Sequence, residues 1–383
     1  MKIDPYKNEQ RYLARKERIE KNGIPGVSLS TARIIKAFLT DMETGLNIAQ
    51  GSKKGPRSYS RLNTLRDRLT FFANSFKRHH GINSITDITE EQLHQFFASM
   101  RNGQIRKRNG TQYRSTADYV KDFNSFWHWY MKVNKKAGRQ VVDICVDLDN
   151  TKAKPNWVYL TEDQVRRLCD NATYKYKVLM MFLFDSGIRS PTELVNVRVK
   201  DLSHKCTRLH IREDTSKTFG RTINLMLCPQ LLQGYIRDQE LQDEDHVFAI
   251  SAQLVNRYLK RLAKRVLGVR QSLAGDSYAT LTMYDLRHSS ACYWLPRYKS
   301  ESALKYRFGW KKSDMIYYYT ELLGMKDTIT EDDLLVDVTK TEIEQRLEKS
   351  EKHNMVLQEK IHAMDKQMEA ILQMVQKIGP KVM

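Results

Sequence analysis

Between Ser28 and Lys136 the apolar residues recur every three or four positions, the period of one face of an α-helix. Four segments carry this pattern. STARIIKAFLTDMETGL opens after a serine–threonine cap, and SYSRLNTLRDRLTFFANSFKRH repeats the same spacing. TEEQLHQFFASM starts with Thr89 followed by Glu90 and Glu91, the residues that satisfy and complement a helix N-terminus. RSTADYVKDFNSFWHWYMKV carries Phe123, Trp127 and Tyr130 as a continuous aromatic stripe, which predicts a packed face. Residues 1–27 are polar, basic and broken by Pro5, Gly23, Pro25 and Gly26, and read as a flexible or partly helical arm. Residues 141–157, ending in TKAKPNW, read as a linker.

Beyond the linker the periodicity is mixed. LTEDQVRRLCDNA is a capped helix, and KYKVLMMFLFDSG is apolar almost throughout, as a buried helix is. RLHIRED and GRTINLML alternate polar and apolar residues on either side of the polar turn TSKTFG, which predicts a β-hairpin. The chain then returns to helical spacing through Leu323. The expected fold is mainly α with a small antiparallel sheet: a helical domain over residues 28–140 and an α+β domain over 158–325, followed by a connector over 326–340. Residues 341–379 repeat every seven. Position d falls on Ile343, Ser350, Leu357, Met364, Ile371 and Ile378, and position a on Leu347, Asn354, Ile361, Met368 and Val375. That seam predicts a self-associating coiled coil, with Arg346 facing Glu351 and Lys360 facing Asp365 of a parallel partner.

Composition narrows the function. A chain of 383 residues suggests two domains plus additions. The five cysteines are scattered with no CxxC pair, so neither a disulfide framework nor a zinc site is expected. No run of about 18 apolar residues is present, which predicts a soluble intracellular protein rather than a membrane-bound one. The net charge is +19, and residues 1–140 hold 27 Lys/Arg against 12 Asp/Glu, whereas residues 341–383 hold 7 of each. Positive charge gathered in one folded region points to nucleic acid, where phosphate neutralisation and counterion release supply affinity. Two loops concentrate it: GSKKGPRS, with Lys53, Lys54 and Arg57, and RNGQIRKRNG, with Arg106, Lys107 and Arg108. Both are expected to bind phosphates.

The polar residues of the second domain come in a telling order. Arg189 follows a buried helix in SGIRSPTEL; Lys217 sits in the turn of TSKTFGR; Tyr284, Arg287 and His288 lie in MYDLRHSSA; Gly309 and Trp310 lie in YRFGWKKSD; and Tyr319 follows Trp310 by nine positions. This constellation resembles the catalytic domain of the tyrosine recombinases, the phage integrase family, over roughly Leu160 to Leu323. Its Gly-Trp box followed by SDM is most similar to the integrases of archaeal viruses and plasmids. The helical region ahead of it is similar in size and character to that family's DNA-binding core-binding domain. Three departures stand out. Glu193 comes one residue later than in the family pattern, Tyr284 replaces the first His of the HxxR box, and Trp310 stands for the last His of the family's order, in the Gly-Trp box, a substitution the family tolerates.

The resemblance implies a site-specific recombinase that cuts and rejoins double-stranded DNA through a 3′-phosphotyrosine, as a homo-tetramer on DNA, inside the cell at the nucleoid or host DNA. The residue types suit that chemistry. A phenolate attacks phosphorus and is also a competent leaving group. Planar guanidiniums such as Arg189 and Arg287 match the nonbridging oxygens in charge and shape. Lys217 can protonate the departing 5′ oxygen. Tyr284, a poor general base, is expected to orient or hydrogen-bond, and Trp310 to wall the pocket. No carboxylate cluster accompanies them, so no metal or other cofactor is expected. Of the three consecutive tyrosines, Tyr319 stands at the family's spacing. Tyr318 and Tyr317 lie about 100° and 200° around a helix from it. The alternatives are a tyrosine-type topoisomerase IB-like enzyme and a catalytically impaired, architectural DNA-binding protein.

Overall fold

The computed structural model describes residues 2–323 except Ala153 and Lys299, and beyond them residues 350, 351, 354, 357, 358, 361, 364 and 368. The chain is mainly helical with one three-stranded antiparallel sheet. It divides into two units, Met1–Tyr319 and Thr320–Met383. The first unit holds two hydrophobic cores.

Five helices build the first core: α1 (Asn8–Asn22), α2 (Leu29–Thr44), α3 (Tyr59–His80), α4 (Glu90–Arg101) and α5 (Thr116–Lys136). The caps are those the sequence signals. Ser28 and Ser58 accept from the backbone of Thr31 and Arg61, and Thr89 and Gln92 cap one another reciprocally. The α5 stripe turns inward, with Phe123 and Trp127 buried, and Phe123 packs 5.3 Å from Phe72, whose ring also meets Phe76, Phe96 and Phe97. The expected arm at residues 1–27 is largely a helix. In α1, Tyr12 is buried, and Asn63 Nδ2 of α3 donates to Asn8 O at 2.9 Å. Its start is held by Asp4, whose carboxylate accepts from the backbone of Tyr6 and Asn8.

The linker is laid down rather than free. Ile144, Cys145 and Leu148 are buried on the first core, and Trp127 Nε1 donates to Val142 O at 3.0 Å. It then enters the second core, where Trp157 N donates to Ala274 O and Val158 N to Asp285 Oδ1. At the other end of the chain, Ile3 N donates to Asn196 Oδ1 at 2.7 Å and Asn196 Nδ2 donates back to Ile3 O at 2.9 Å, tying the start of the chain to the second core.

That second core is built around α7 (Tyr174–Ser186), buried continuously from Val178 to Ser186, with α6 (Glu162–Asp170), α8 (Pro229–Asp238), α9 (Ala252–Leu267), α10 (Met283–Trp294), α11 (Glu301–Phe308) and α12 (Asp314–Leu323). The sheet runs β1 (Leu202–Ser203), β2 (Arg208–Ile211), β3 (Arg221–Asn224), and the expected hairpin is the β2–β3 pair, in register at Leu209 with Ile223 and Ile211 with Arg221. Alternation puts Leu209, Ile211, Arg221 and Ile223 on the buried face. All five cysteines are buried and unpaired. Among the described residues no helix is long and apolar enough to cross a membrane. The predicted coiled coil lies largely outside the described residues. Those that are described there, including the seam positions Ser350, Asn354, Leu357, Ile361, Met364 and Met368, are helical and exposed.

Candidate functional site

Four chain segments meet at the C-terminal end of α7. The helix stops at Gly187, at φ 60°. A Cβ there would lie 2.3 Å from the Phe308 ring, so only glycine lets the end of α11 come this close. The turn that follows presents Arg189, which donates from Nη2 to Gly309 O at 2.7 Å and from Nη1 to Glu193 Oε1 at 2.9 Å. Glu193 is buried and bridges to a second guanidinium. Arg221 of β3 donates from Nη2 to Glu193 Oε2 at 2.9 Å and from Nη1 to Oε1 at 3.2 Å, while its Nε donates to Arg307 O. Arg287 of α10 donates to Phe308 O at 2.6 Å and also to Gly187 O. Consecutive carbonyls at 308 and 309 thus hold Arg287 and Arg189 side by side. Gly309, at φ 62°, fits there because a Cβ would sit 3.0 Å from Arg221 Nη1 and 3.1 Å from Arg189 Nη1.

The charges do not cancel. One carboxylate faces three guanidiniums, which leaves two positive charges in excess. Burial pushes the Glu193 carboxyl up, but the bonds from Arg221 and Arg189 more than offset it and hold it below the usual carboxylate range. Burial, and then neighbouring Arg189, push Arg287 down to about 10, so it stays cationic at neutral pH. An anion entering here meets preorganised donors and unbalanced positive charge. Lys217 is exposed in the β2–β3 turn, whose Thr218 Oγ1 donates to Gly309 O at 2.9 Å.

The three tyrosines separate as their helical phases require. Tyr317 is 69% exposed. Tyr318 turns to the linker, accepting from Trp157 Nε1 at 2.6 Å and donating to Pro155 O at 3.0 Å. Tyr319 is 2% exposed, its ring near-parallel to Trp310 at 5.8 Å and its hydroxyl hydrogen-bonded to His288 Nδ1. Trp310 in turn stacks on Phe308 at 4.8 Å. Burial pushes the Tyr319 phenol up, and Arg287 draws it back only in part. Tyr284 is 52% exposed, its ring edge-on to His288 at 4.8 Å.

Arg189, Arg287, Trp310 and Tyr319 therefore lie around the end of α11, with Tyr284 and Lys217 further out. Three participants carry no sequence-based assignment. Arg221 had a signal: it shares the inward face of an alternating strand with Ile223. His288 stood in the MYDLRH motif without a role attached to it, and Trp157 had no signal. The basic loops are on the surface. Lys53 and Lys54 are exposed and Arg57 half-buried, and the loop is pinned where Gly45 closes on Gly55, a Cβ there falling 2.7 Å from the Gly55 carbonyl carbon. Arg106, Lys107 and Arg108 are exposed on a turn closed by Lys107 N to Thr111 O. A third basic surface was hidden by counting charge over the whole region. In α9, Arg257, Lys260, Arg261, Lys264 and Arg265 are all exposed, and the helix contains no acid.

Residues 158–324 match the phage integrase family. Among solved structures, the chain is similar to the Tn1549 transposon integrase in complex with circular intermediate DNA, at 15% identity and a TM-score of 0.55 over 80% of this chain and 98% of that one. It is also similar to a lambda integrase dimer bound to a COC′ core site, at 16% identity and a TM-score of 0.55 over 83% of this chain and 88% of that one. At such identity the likeness is one of fold. No curated protein sequence matches the chain.

Proposed function

Residues 158–324 belong to the phage integrase family, and from that premise we propose that this protein is a site-specific DNA recombinase that cuts and rejoins DNA through a 3′-phosphotyrosine at Tyr319. The observation that carries the proposal is the convergence of a buried tyrosine hydroxyl with three guanidiniums that a single carboxylate only partly neutralises. Arg189 and Arg287 take the nonbridging oxygens of the scissile phosphate, which gain charge as the phenol oxygen attacks. Lys217 protonates the 5′ oxygen as it leaves. Trp310 and Phe308 wall the nucleophile, and Tyr284 stands at the rim, where a half-exposed phenol can orient the DNA backbone. The cationic pocket supplies the charge stabilisation, so the scheme calls for no metal or nucleotide cofactor.

Double-stranded DNA is held by phosphate contacts from the loops bearing Lys53, Lys54 and Arg57 and Arg106, Lys107 and Arg108, and from the basic face of α9. Four copies assemble on DNA, with the heptads of residues 341–379 pairing two chains. In support, the described seam residues Leu357, Ile361, Met364 and Met368 are exposed apolar side chains on a helix, a surface that a second copy would cover. Sedimentation of the full chain against one ending at residue 340 tests this, and the same number of chains per particle in both would contradict it.

The test of function is a nicked DNA substrate that traps the covalent adduct, followed by mapping of the linked residue. Strand exchange between two duplexes then separates a recombinase from a topoisomerase that acts on one.

A further inference from the structure

To become a phosphotyrosine, Tyr319 must lose its hydroxyl proton, and the roles above leave that proton without a destination. Lys217 serves the leaving oxygen at the other end of the reaction. Tyr284 is a phenol, and a phenol is a poor base at neutral pH. The Tyr319 hydroxyl touches His288 Nδ1 instead. His288 stands four residues after Tyr284 on α10, so an imidazole is supplied one helical turn along the same face. The ring is held in place. Trp157 of the linker lies 4.7 Å from it, tilted 31°, and the rings of Tyr284 and Tyr319 lie at 4.8 and 5.7 Å. Trp157 is itself fixed through Nε1 to Tyr318 of α12, so the base and the helix bearing the nucleophile share one clamp.

We propose that His288 is the general base that deprotonates Tyr319 during cleavage and the general acid that reprotonates it during rejoining. This inference rests on the reading of Tyr319 as the nucleophile. In cleavage the phenolic O–H bond breaks and its proton passes to Nδ1 of the tautomer protonated on Nε2. The freed electron pair forms the bond from oxygen to phosphorus. The bond from phosphorus to the 5′ oxygen breaks, and that oxygen takes a proton from Lys217. Rejoining runs each transfer in reverse.

The surroundings set when the base works. Burial, and then Arg287, push His288 down to about 4, so Nδ1 is free to accept at neutral pH while an imidazolium is opposed. The other groups facing it are neutral: Tyr284, Tyr319, the indole of Trp157, and Cys292 one turn along α10, whose thiol burial pushes up to about 12. Among the described residues, the charge that acts against its protonation is thus Arg287. A phosphodiester seated on Arg189 and Arg287 brings the compensating negative charge, so His288 gains basicity when DNA arrives and the nucleophile is held protonated until then.

The test uses the full-length protein and single-turnover cleavage of nicked DNA from about pH 6 to 9.5. His288→Asn places an amide near the position of Nδ1 that accepts a hydrogen bond but takes no proton; His288→Gln is the second variant if the first does not fold. DNA affinity stays unchanged, and cleavage at neutral pH slows about 10²- to 10⁴-fold, the range of a lost general base. The deficit shrinks as pH rises, because hydroxide then removes the phenolic proton. A sulfur in place of the 5′ bridging oxygen leaves without a proton, so it restores Lys217→Ala and does not restore the His288 variant. A pH-independent deficit, no deficit, or rescue of the His288 variant by the sulfur substrate overturns the proposal. A covalent adduct formed by Tyr319→Phe overturns the reading beneath it, whereas an inactive Tyr319→Phe beside a fully active His288 variant overturns this inference alone.

Discussion

The two cores of the first unit are filled with different material. Around α3 and α5 the interior is aromatic: Phe38, Phe72, Phe76, Phe96, Phe123 and Phe126 are almost wholly buried, and the buried charges are few, chiefly Arg66 and Asp122. Around α7 and α10 the interior is threaded with ions: Asp185, Glu193, Asp201, Arg221, Asp285, Arg287 and Arg307 are all buried. Asp185 alone accepts from the backbone of Met226, Leu227 and Cys228 and pairs with Arg307 at 3.3 Å. Apolar packing is non-directional and tolerates exchange of similar volumes. A buried ionic network adds little net stability but fixes direction, because each member is costly to leave unpaired. The first core gives the chain a shape that carries surface charge. The second gives a few donors an orientation fixed before any ligand arrives.

That contrast can be broken in the test tube. Arg221→Met leaves Glu193 buried without one of its two guanidinium partners and should cost about 3–5 kcal/mol of stability, read as a lowered denaturant midpoint. Leu62→Met, buried in the aromatic core, should cost under about 1.5 kcal/mol and leave DNA cleavage unchanged. Equal costs would mean that the ions are no more demanding than the rings. Arg189→Lys and Arg287→Lys keep the charge and lose the planar fork. Cleavage should fall about a hundredfold or more, as when one preorganised donor is lost, and near-normal turnover would reduce that residue to a structural one.

A smaller effect follows from His288. Its folded pKa of about 4 lies below the ~6.5 of an unfolded histidine. As pH falls, the unfolded chain binds the proton first, so the stability is complete above about 6.5 and is lost progressively down to about 4, by about 3 kcal/mol. His288→Asn should flatten the unfolding curve in that window. Smallest per residue are the loops. Neutralising Arg106, Lys107 and Arg108 should make the log–log salt dependence of DNA binding shallower by about one unit per lost phosphate contact, and an unchanged slope would show that this loop does not touch DNA.

The aromatic core was legible in the sequence because its information is local. Caps at Ser28, Ser58 and Thr89 and a stripe of period 3.6 in α5 are each contained within one helix. The β2–β3 pair was equally readable from alternation. In α1 the charged residues masked a helix whose inward face is little more than Tyr12 and Ile19. The ionic core was legible only where residue order matched a known pattern, as from Trp310 to Tyr319. Its working pairs join distant positions: Glu193 with Arg221, His288 with Tyr319, and Trp157 with Tyr318 across 161 residues. No periodicity encodes such contacts, since they arise only once α7, α10 and α12 have packed.

The central claim is that Tyr319 forms the bond to phosphorus. Tyr319→Phe removes one oxygen from a ring that Trp310 and Trp157 would still hold. Incubated with nicked DNA that traps the cleaved state, the variant should bind with wild-type affinity and form no covalent adduct, while Tyr318→Phe should still form one. An adduct on the Tyr319→Phe chain, mapped to Tyr318 or any other residue, would contradict the account.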